Sequence, residues 1–130
     1  MRTMVLAAAS GVLAALALAG APSAAVGAEP PVMRVLVVDT ADVKAYRHEL
    51  DKILSIERTV VPEANIRLWR ARYAGAEVGT LIVANEVPNL AALAKLEELA
   101  RTNAEFQATM RRLEQLRRVV SDSIYEEVGP

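Results

Sequence analysis

Cysteine is absent from the 130-residue sequence, which excludes disulfide bonds, thiolate metal sites, iron–sulfur clusters and cysteine nucleophiles. Histidine is nearly absent as well, because His48 is the only one. A zinc site needs three or four converging ligands, so the sequence predicts no metal site. There is also no G-x-S-x-G motif, no phosphate-binding loop and no dinucleotide-binding motif. We therefore expect no cofactor.

Positive charge is not in excess. The 15 lysine and arginine residues are balanced by 16 aspartate and glutamate residues, and the formal net charge is −1. Binding to a phosphate backbone depends on a surplus of basic side chains on one face, so the composition argues against a nucleic-acid partner. Aromatic residues make up 4% of the chain, and Trp69 is the one tryptophan. Its surroundings are therefore the first place to look for an aromatic binding site.

The first 28 residues have the layout of a secretory signal peptide. Arg2 provides a basic start, residues 4–19 form an uncharged apolar run, and a stretch of small residues follows. We predict cleavage after Ala28, with Ala25 as second choice, which leaves residues 29–130 as one domain. The alternative, an uncleaved membrane anchor, is disfavoured because the apolar run is shorter than the ~20 residues that span a bilayer. We expect an exported protein, periplasmic or secreted, without membrane contact after cleavage.

Hydrophobic periodicity predicts seven elements in the rest of the chain. Short runs of apolar and β-branched residues indicate strands, and apolar residues three and four apart indicate helices. Asn89, and Thr102 or Asn103, are expected to cap the second and third helices. The predicted elements are a strand at 33–40, a helix at 42–58, a strand at 65–73, a strand at 80–87, a helix at 88–100, a helix at 104–118 and a strand at 119–128.

This order of elements predicts a ferredoxin-like α+β fold. Each strand–helix–strand unit crosses over with the usual right hand, which gives a four-stranded antiparallel sheet in the split βαβ arrangement. The expected strand order is 4-1-3-2, with the helices on one face. The other face would be apolar and uncovered, so we expect a further surface to pack on it.

Three features together carry a resemblance to a known superfamily. They are the element order, the hairpin sequence RLWRARYAGAEVGTLIV at 67–83, and the segment NAEFQATM at 103–110 before the last strand. In these features the chain resembles the dimeric α+β-barrel superfamily, in its NIPSNAP and antibiotic-biosynthesis-monooxygenase branch. The resemblance covers nearly all of residues 33–128. It implies a homodimer that packs sheet against sheet, and a cavity between sheet and helices, but no single reaction.

The stretch NIRLWRARY at 65–73 combines three arginines with two aromatic residues. The predicted hairpin register sets Tyr73 opposite Thr80, Trp69 opposite Ala84, and Arg67 opposite Glu86, where facing side chains are about 5 Å apart. We therefore predict Arg67, Trp69, Tyr73 and Glu86 as a ligand-binding set, in which a flat aromatic wall and a guanidinium hold a small molecule.

Two other interpretations of this stretch stay open. Arg67 and Trp69 can instead pack in a subunit interface, and Arg70 and Arg72 can protect an edge strand from unwanted pairing. The remaining candidates are typical of surface: His48 lies on a flank of the first helix. The adjacent glutamates at 97 and 98 belong to an exposed helix face, and those at 126 and 127 point to opposite faces of a strand. We name no catalytic residue.

We carry three hypotheses for function. The first is an exported, non-enzymatic homodimer that binds a small apolar or aromatic ligand. The second is a cofactor-independent monooxygenase acting on an aromatic substrate, for which the resemblance suggests Asn85, Trp69, Tyr73 and Arg67. The predicted register weakens it, because Asn85 and Trp69 fall on different faces of the sheet. The third is an oligomerisation domain without a site.

Overall fold

The computed structural model describes residues 29–73 and 75–129. The predicted signal peptide falls on residues 1–28, outside the described part, so export stays a prediction from the sequence. In the described part, every helix is too short or too polar to cross a membrane.

The described residues form four strands and three α-helices, in the order that the periodicity predicts. The strands are β1 (Val32–Asp39), β2 (Asn65–Arg70), β3 (Leu81–Val87) and β4 (Arg118–Glu126). The helices are α1 (Val43–Glu57), α2 (Leu90–Thr102) and α3 (Ala104–Leu116). A 3₁₀ turn, Gly75–Glu77, lies in the connection between β2 and β3.

The sheet has the order β2-β3-β1-β4 with antiparallel neighbours, which is the predicted ferredoxin-like arrangement. Each helix is preceded by a residue whose side-chain oxygen accepts a hydrogen bond from a free backbone N–H of the first turn. Asp42 accepts from Ala45 at 2.9 Å, and Asn89 and Asn103 cap α2 and α3 in the same way at 2.8 Å. The predicted helix boundaries are therefore confirmed to within a few residues.

The helices bury their apolar stripes on one face of the sheet, which we call the inner face. Alternate strand residues point to opposite faces, so only every second residue of a strand reaches this core. Apolar burial of this kind supplies most of the stability of a small domain. The buried core comprises Val32, Val38, Tyr46, Leu50, Ile53, Ile56, Val61, Ala64, Leu81, Val83, Val87, Ala92, Leu93, Leu96, Leu99, Phe106 and Leu113.

The hairpin between β2 and β3 differs from the predicted register by two residues. Arg67 pairs with Ala84, and Trp69 pairs with Ile82. The predicted register was wrong because β2 ends at Arg70, three residues early, and a longer loop follows. Within that loop Gly79 takes a φ of 92°, a conformation that favours glycine. Because the shift is even, every side chain keeps its predicted face.

Candidate functional site

A cavity of about 370 Å³ lies between the helices and the inner face of the sheet, as the resemblance implied. Its volume is at the lower end of the range for small-molecule sites. Its floor comes from β1, β2 and β3, and its walls come from all three helices. The apolar lining residues are Leu36, Leu50, Ile53, Ile66, Val83, Leu93, Leu96, Ala100, Phe106, Met110 and Leu113.

Two polar side chains meet inside this apolar lining. Glu57 is the last residue of α1, and Asn85 points inward from β3. The Asn85 side-chain amide donates to Glu57 Oε1 at 2.8 Å. Glu57 is only 3% exposed. Its second oxygen, Oε2, and the Asn85 carbonyl oxygen, Oδ1, are buried and have no hydrogen-bond partner among the described residues.

The buried Glu57 carboxyl group is a weaker acid than the carboxyl group of an exposed glutamate. Burial raises the pKa of Glu57 from 4.5 to about 7, and the hydrogen bond from Asn85 and the positive charge of Arg34 oppose this rise only in part. Removal of the carboxylate from water disfavours its charged form. At neutral pH the group therefore exchanges its proton readily, which is the property required of a general acid or base.

Arg34 reaches the same cavity from β1, next to Asn85 in the sheet. Its guanidinium donates two hydrogen bonds to Asp122 of β4, at 2.9 and 2.6 Å. The bonds from Arg34 hold the pKa of Asp122 below its ordinary value. Arg34 thus places a positive charge near Glu57, but Asp122 engages its Nε and Nη2 donors.

A second arginine lines the cavity from the junction of α3 and β4. Arg117 Nη1 donates to the Tyr46 hydroxyl at 2.9 Å. Tyr46 is fully buried in the first turn of α1, and burial raises the pKa of its hydroxyl, so it stays neutral. Arg117 Nε is buried and has no hydrogen-bond partner in the described chain. The residues that line the cavity therefore include one buried unpaired donor, Arg117 Nε, as well as the two buried unpaired acceptors.

The four residues predicted to bind a ligand do not line this cavity. Arg67, Trp69 and Glu86 lie on the opposite face of the sheet, which we call the open face. Arg67 Nη2 and Glu86 Oε2 are 3.1 Å apart, although the two residues are diagonal neighbours and not directly opposite. Trp69 is 56% exposed, and Tyr73 lies beyond the end of β2, fully exposed. The structure brings Arg67 and Glu86 together, and ligand binding by the set stays a prediction.

The open face also carries a shallow cleft. Arg67 and Glu86 line it together with Met33 and Tyr125, and its volume is about 450 Å³. None of the described helix residues lines this cleft, whereas residues of all three helices form the walls of the inner cavity. The open face therefore suits contact with a large surface better than enclosure of a small molecule.

The other sequence predictions agree with the exposure of the side chains. His48, the glutamates at 97 and 98, and those at 126 and 127 are all exposed. Asn85 and Trp69 lie on different faces of the sheet, as predicted. In residues 29–73 and 75–129 no group of three or more acidic, histidine or cysteine side chains could hold a metal ion.

Sequence reasoning missed Glu57, Arg34 and Arg117. Glu57 carried a recognisable signal, because it continues the apolar stripe of α1 that includes Leu50 and Ile53. A charged residue in phase with a buried stripe is itself a sign of a site. Arg117 carried no such signal, because it lies between two elements.

Neither a protein-family model nor a curated protein sequence matches the chain. Solved structures do resemble it. SnoaB, a cofactor-independent oxygenase from Streptomyces nogalater, aligns with a TM-score of 0.58 and 10% identity over 78% of this chain and 96% of that chain. A NIPSNAP family protein of unknown function from Agrobacterium tumefaciens gives 0.57 and 10% over 78% and 90%. A protein of unknown function from Bacteroides thetaiotaomicron, described as a possible oxidoreductase, gives 0.53 and 10% over 77% and 100%.

The chain has the ferredoxin-like fold of these proteins. The resemblance predicted from the sequence is confirmed at the level of the fold, since SnoaB and NIPSNAP proteins are among the structures that the chain matches. At such low identity the likeness establishes the fold alone, and function is argued from the site.

Replacing Glu57 with glutamine tests the protonation of the cavity. The folded protein holds this proton more tightly than the unfolded chain, because the pKa is raised from 4.5 to about 7. The stability that the group contributes is therefore present below pH ~4.5 and is lost as the pH rises to ~7. We expect Glu57→Gln to be more stable than the original protein at pH 8, by up to ~3 kcal/mol, with the difference vanishing near pH 4. Urea unfolding across this range measures it.

The matched control is Glu97→Gln, because Glu97 is an exposed carboxylate at the rim of the same cavity. We expect no pH-dependent gain from it. A difference between Glu57→Gln and the original protein that is constant from pH 4 to pH 8 would contradict a raised pKa.

Proposed function

We propose that the protein binds a small, largely apolar or aromatic molecule in the cavity between its helices and its sheet. One observation carries this proposal: an apolar cavity contains two buried oxygen atoms, Glu57 Oε2 and Asn85 Oδ1, that lack hydrogen-bond partners. A buried polar atom left unpaired costs about 1–3 kcal/mol. A ligand that donates to these oxygens recovers that free energy in addition to burying its own apolar surface.

Filling the cavity with a protein side chain tests the binding site. Ala100 lines the cavity from α2, whereas Ala94 is exposed on the same helix. We expect Ala100→Phe to weaken the binding of naphthalene, followed by its fluorescence, at least tenfold, because the new ring takes its place. We expect Ala94→Phe to leave the affinity unchanged. Failure of the original protein to bind naphthalene or any of its substituted derivatives would overturn the proposal.

We also propose that a second copy of this chain covers the open face. This face presents Met33, Val35 and Ile82 between two half-exposed aromatic side chains, Trp69 and Tyr125. The charges of Arg67 and Glu86 cancel locally, since the two side chains form an ion pair. A face that is apolar, aromatic and locally neutral is suited to packing against an identical face of a second copy. The proposed homodimer would leave both inner cavities intact.

Charge reversal at Arg67 tests this interface. Arg67→Glu places two carboxylates side by side, and their repulsion adds to the cost of burying them, so we expect the dimer dissociation constant to rise at least tenfold. Sedimentation equilibrium measures it. The double variant Arg67→Glu/Glu86→Arg restores the pair and should restore most of the affinity. Arg72→Glu, at the exposed hairpin loop, is the matched control. A monomeric original protein would refute the homodimer.

A cofactor-independent monooxygenase is the second candidate. The observation that favours it is the Glu57 carboxyl, buried in an apolar cavity with a pKa of about 7, which is suited to taking a proton from a substrate near neutral pH. The resulting carbanion would add dioxygen. Loss of water from the hydroperoxide would then convert a CH₂ group and O₂ into a carbonyl group and water. SnoaB, which shares the fold, is a cofactor-independent oxygenase.

Dioxygen consumption separates the two candidates. Once a compound with an acidic CH₂ group is found to bind, an oxygen electrode shows whether the protein accelerates its oxidation. We expect no acceleration if the protein is a binding module. If it is an enzyme, Glu57→Gln should abolish the acceleration while the compound still binds.

A further inference from the structure

The polar atoms of the cavity lie towards two different ends. Arg117 contacts Tyr46 in the first turn of α1, and Glu57 is the last residue of the same helix. Tyr46 and Glu57 are eleven positions apart in α1, so their Cα atoms lie about 16 Å apart along the helix axis. Leu50 and Ile53 line the cavity from the turns in between. The two buried polar groups thus lie towards opposite ends of α1, with apolar side chains of that helix between them.

The buried unpaired atoms at the two ends offer opposite kinds of hydrogen bond. At the Glu57 end, Asn85 Oδ1 and the ionised Glu57 Oε2 are both acceptors, and both are buried without a partner in the described chain. At the other end, Arg117 Nε carries a hydrogen and can only donate. Because the cavity is largely apolar, each unused group favours a ligand that supplies its complement.

The charges around Glu57 narrow the choice of ligand group. When Glu57 is ionised, a carboxylate is disfavoured there, because the two negative charges repel each other and neither Glu57 Oε2 nor Asn85 Oδ1 can donate to it. An ammonium group would be attracted to the ionised Glu57, but the removal of its charge from water into a largely apolar cavity is costly. A neutral donor, such as a hydroxyl group, meets neither objection.

We propose that the ligand is an elongated apolar molecule with a neutral hydroxyl group at one end, held by Glu57 and Asn85, and a carbonyl-type acceptor at the other end, held by Arg117. This inference rests on the proposed binding function and adds the polarity and the orientation of the ligand. Glu57 is 3% exposed, which makes this end a site within the fold and not a surface contact.

Three neutral probes test the Glu57 end and the Arg117 end separately. They are 2-(hydroxymethyl)naphthalene, its methyl ether 2-(methoxymethyl)naphthalene, and 2-acetyl-6-(hydroxymethyl)naphthalene. Titration calorimetry at pH 8, where Glu57 is ionised, gives the affinity of each. We expect the alcohol to bind about tenfold or more tightly than the ether, because hydrogen bonds to charged acceptors are the stronger ones. We expect the acetyl group to tighten binding further, by several-fold.

Two substitutions assign these preferences to residues. Glu57→Met should bring the alcohol-to-ether ratio close to one while the ether still binds, which also shows that the variant is folded. Glu114→Met, at an exposed position of α3 that does not line the cavity, should keep the ratio of the original protein. Arg117→Met should remove the gain from the acetyl group, and Arg111→Met, at an exposed position of α3 that does not line the cavity, should preserve it.

The outcomes separate this inference from the proposed function. Equal binding of alcohol and ether by the original protein, or a preference for the alcohol that survives in Glu57→Met, would overturn the inference and leave the binding function standing. A gain from the acetyl group that persists in Arg117→Met would overturn the orientation. Failure of all three probes to bind would count against the binding function itself.

Discussion

Within residues 29–73 and 75–129, helices cover the sheet on one face only, and this constraint decides the role of almost every strand residue. Side chains alternate between the two faces of a strand, so neighbours in sequence enter different environments. Asn85 reaches the cavity, while Glu86 reaches the open face and pairs with Arg67. Arg34 turns to the cavity, while Met33 and Val35 turn away. The described chain thereby carries a cavity on one side of its sheet and a broad exposed surface on the other.

The fold was predictable from the sequence because its signals are local and repeated. Asn89 and Asn103 stand before apolar residues at helical spacing, and strand order follows from handedness once the elements are known. The register of β2 against β3 was not predictable in the same way. It depends on where β2 ends and how the loop closes, which is set by two backbone bonds between Ala71 and residues 79 and 80. The sequence from Ala71 to Tyr73 continues the strand pattern, so it does not show where pairing stops.

The candidate site was only partly predictable from the sequence, for a related reason. The predicted set, Arg67, Trp69, Tyr73 and Glu86, was chosen for chemical variety along one hairpin. The cavity instead brings together Glu57 and Asn85, which are distant in sequence. Each interrupts an apolar pattern at an inward position: Glu57 in the stripe of α1, and Asn85 between Val83 and Val87. A polar residue in phase with the core indicates such a site better than a cluster of polar residues on one strand, because burial must be compensated.

Two glutamates of α1 show that burial alone does not make a reactive carboxyl group. Glu49 and Glu57 are both buried. Burial alone would raise the pKa of Glu49, but hydrogen bonds from Lys52 and Arg112 outweigh it and hold the pKa below its ordinary value. The Glu49 carboxylate accepts a hydrogen bond from Arg112 at 3.0 Å and so ties α1 to α3. Burial of Glu57 is opposed only in part, by the neutral amide of Asn85 and the more distant charge of Arg34, so its pKa rises to about 7. The same residue type on the same helix therefore holds two helices together at one position and, at the other, leaves a carboxyl group available to a ligand.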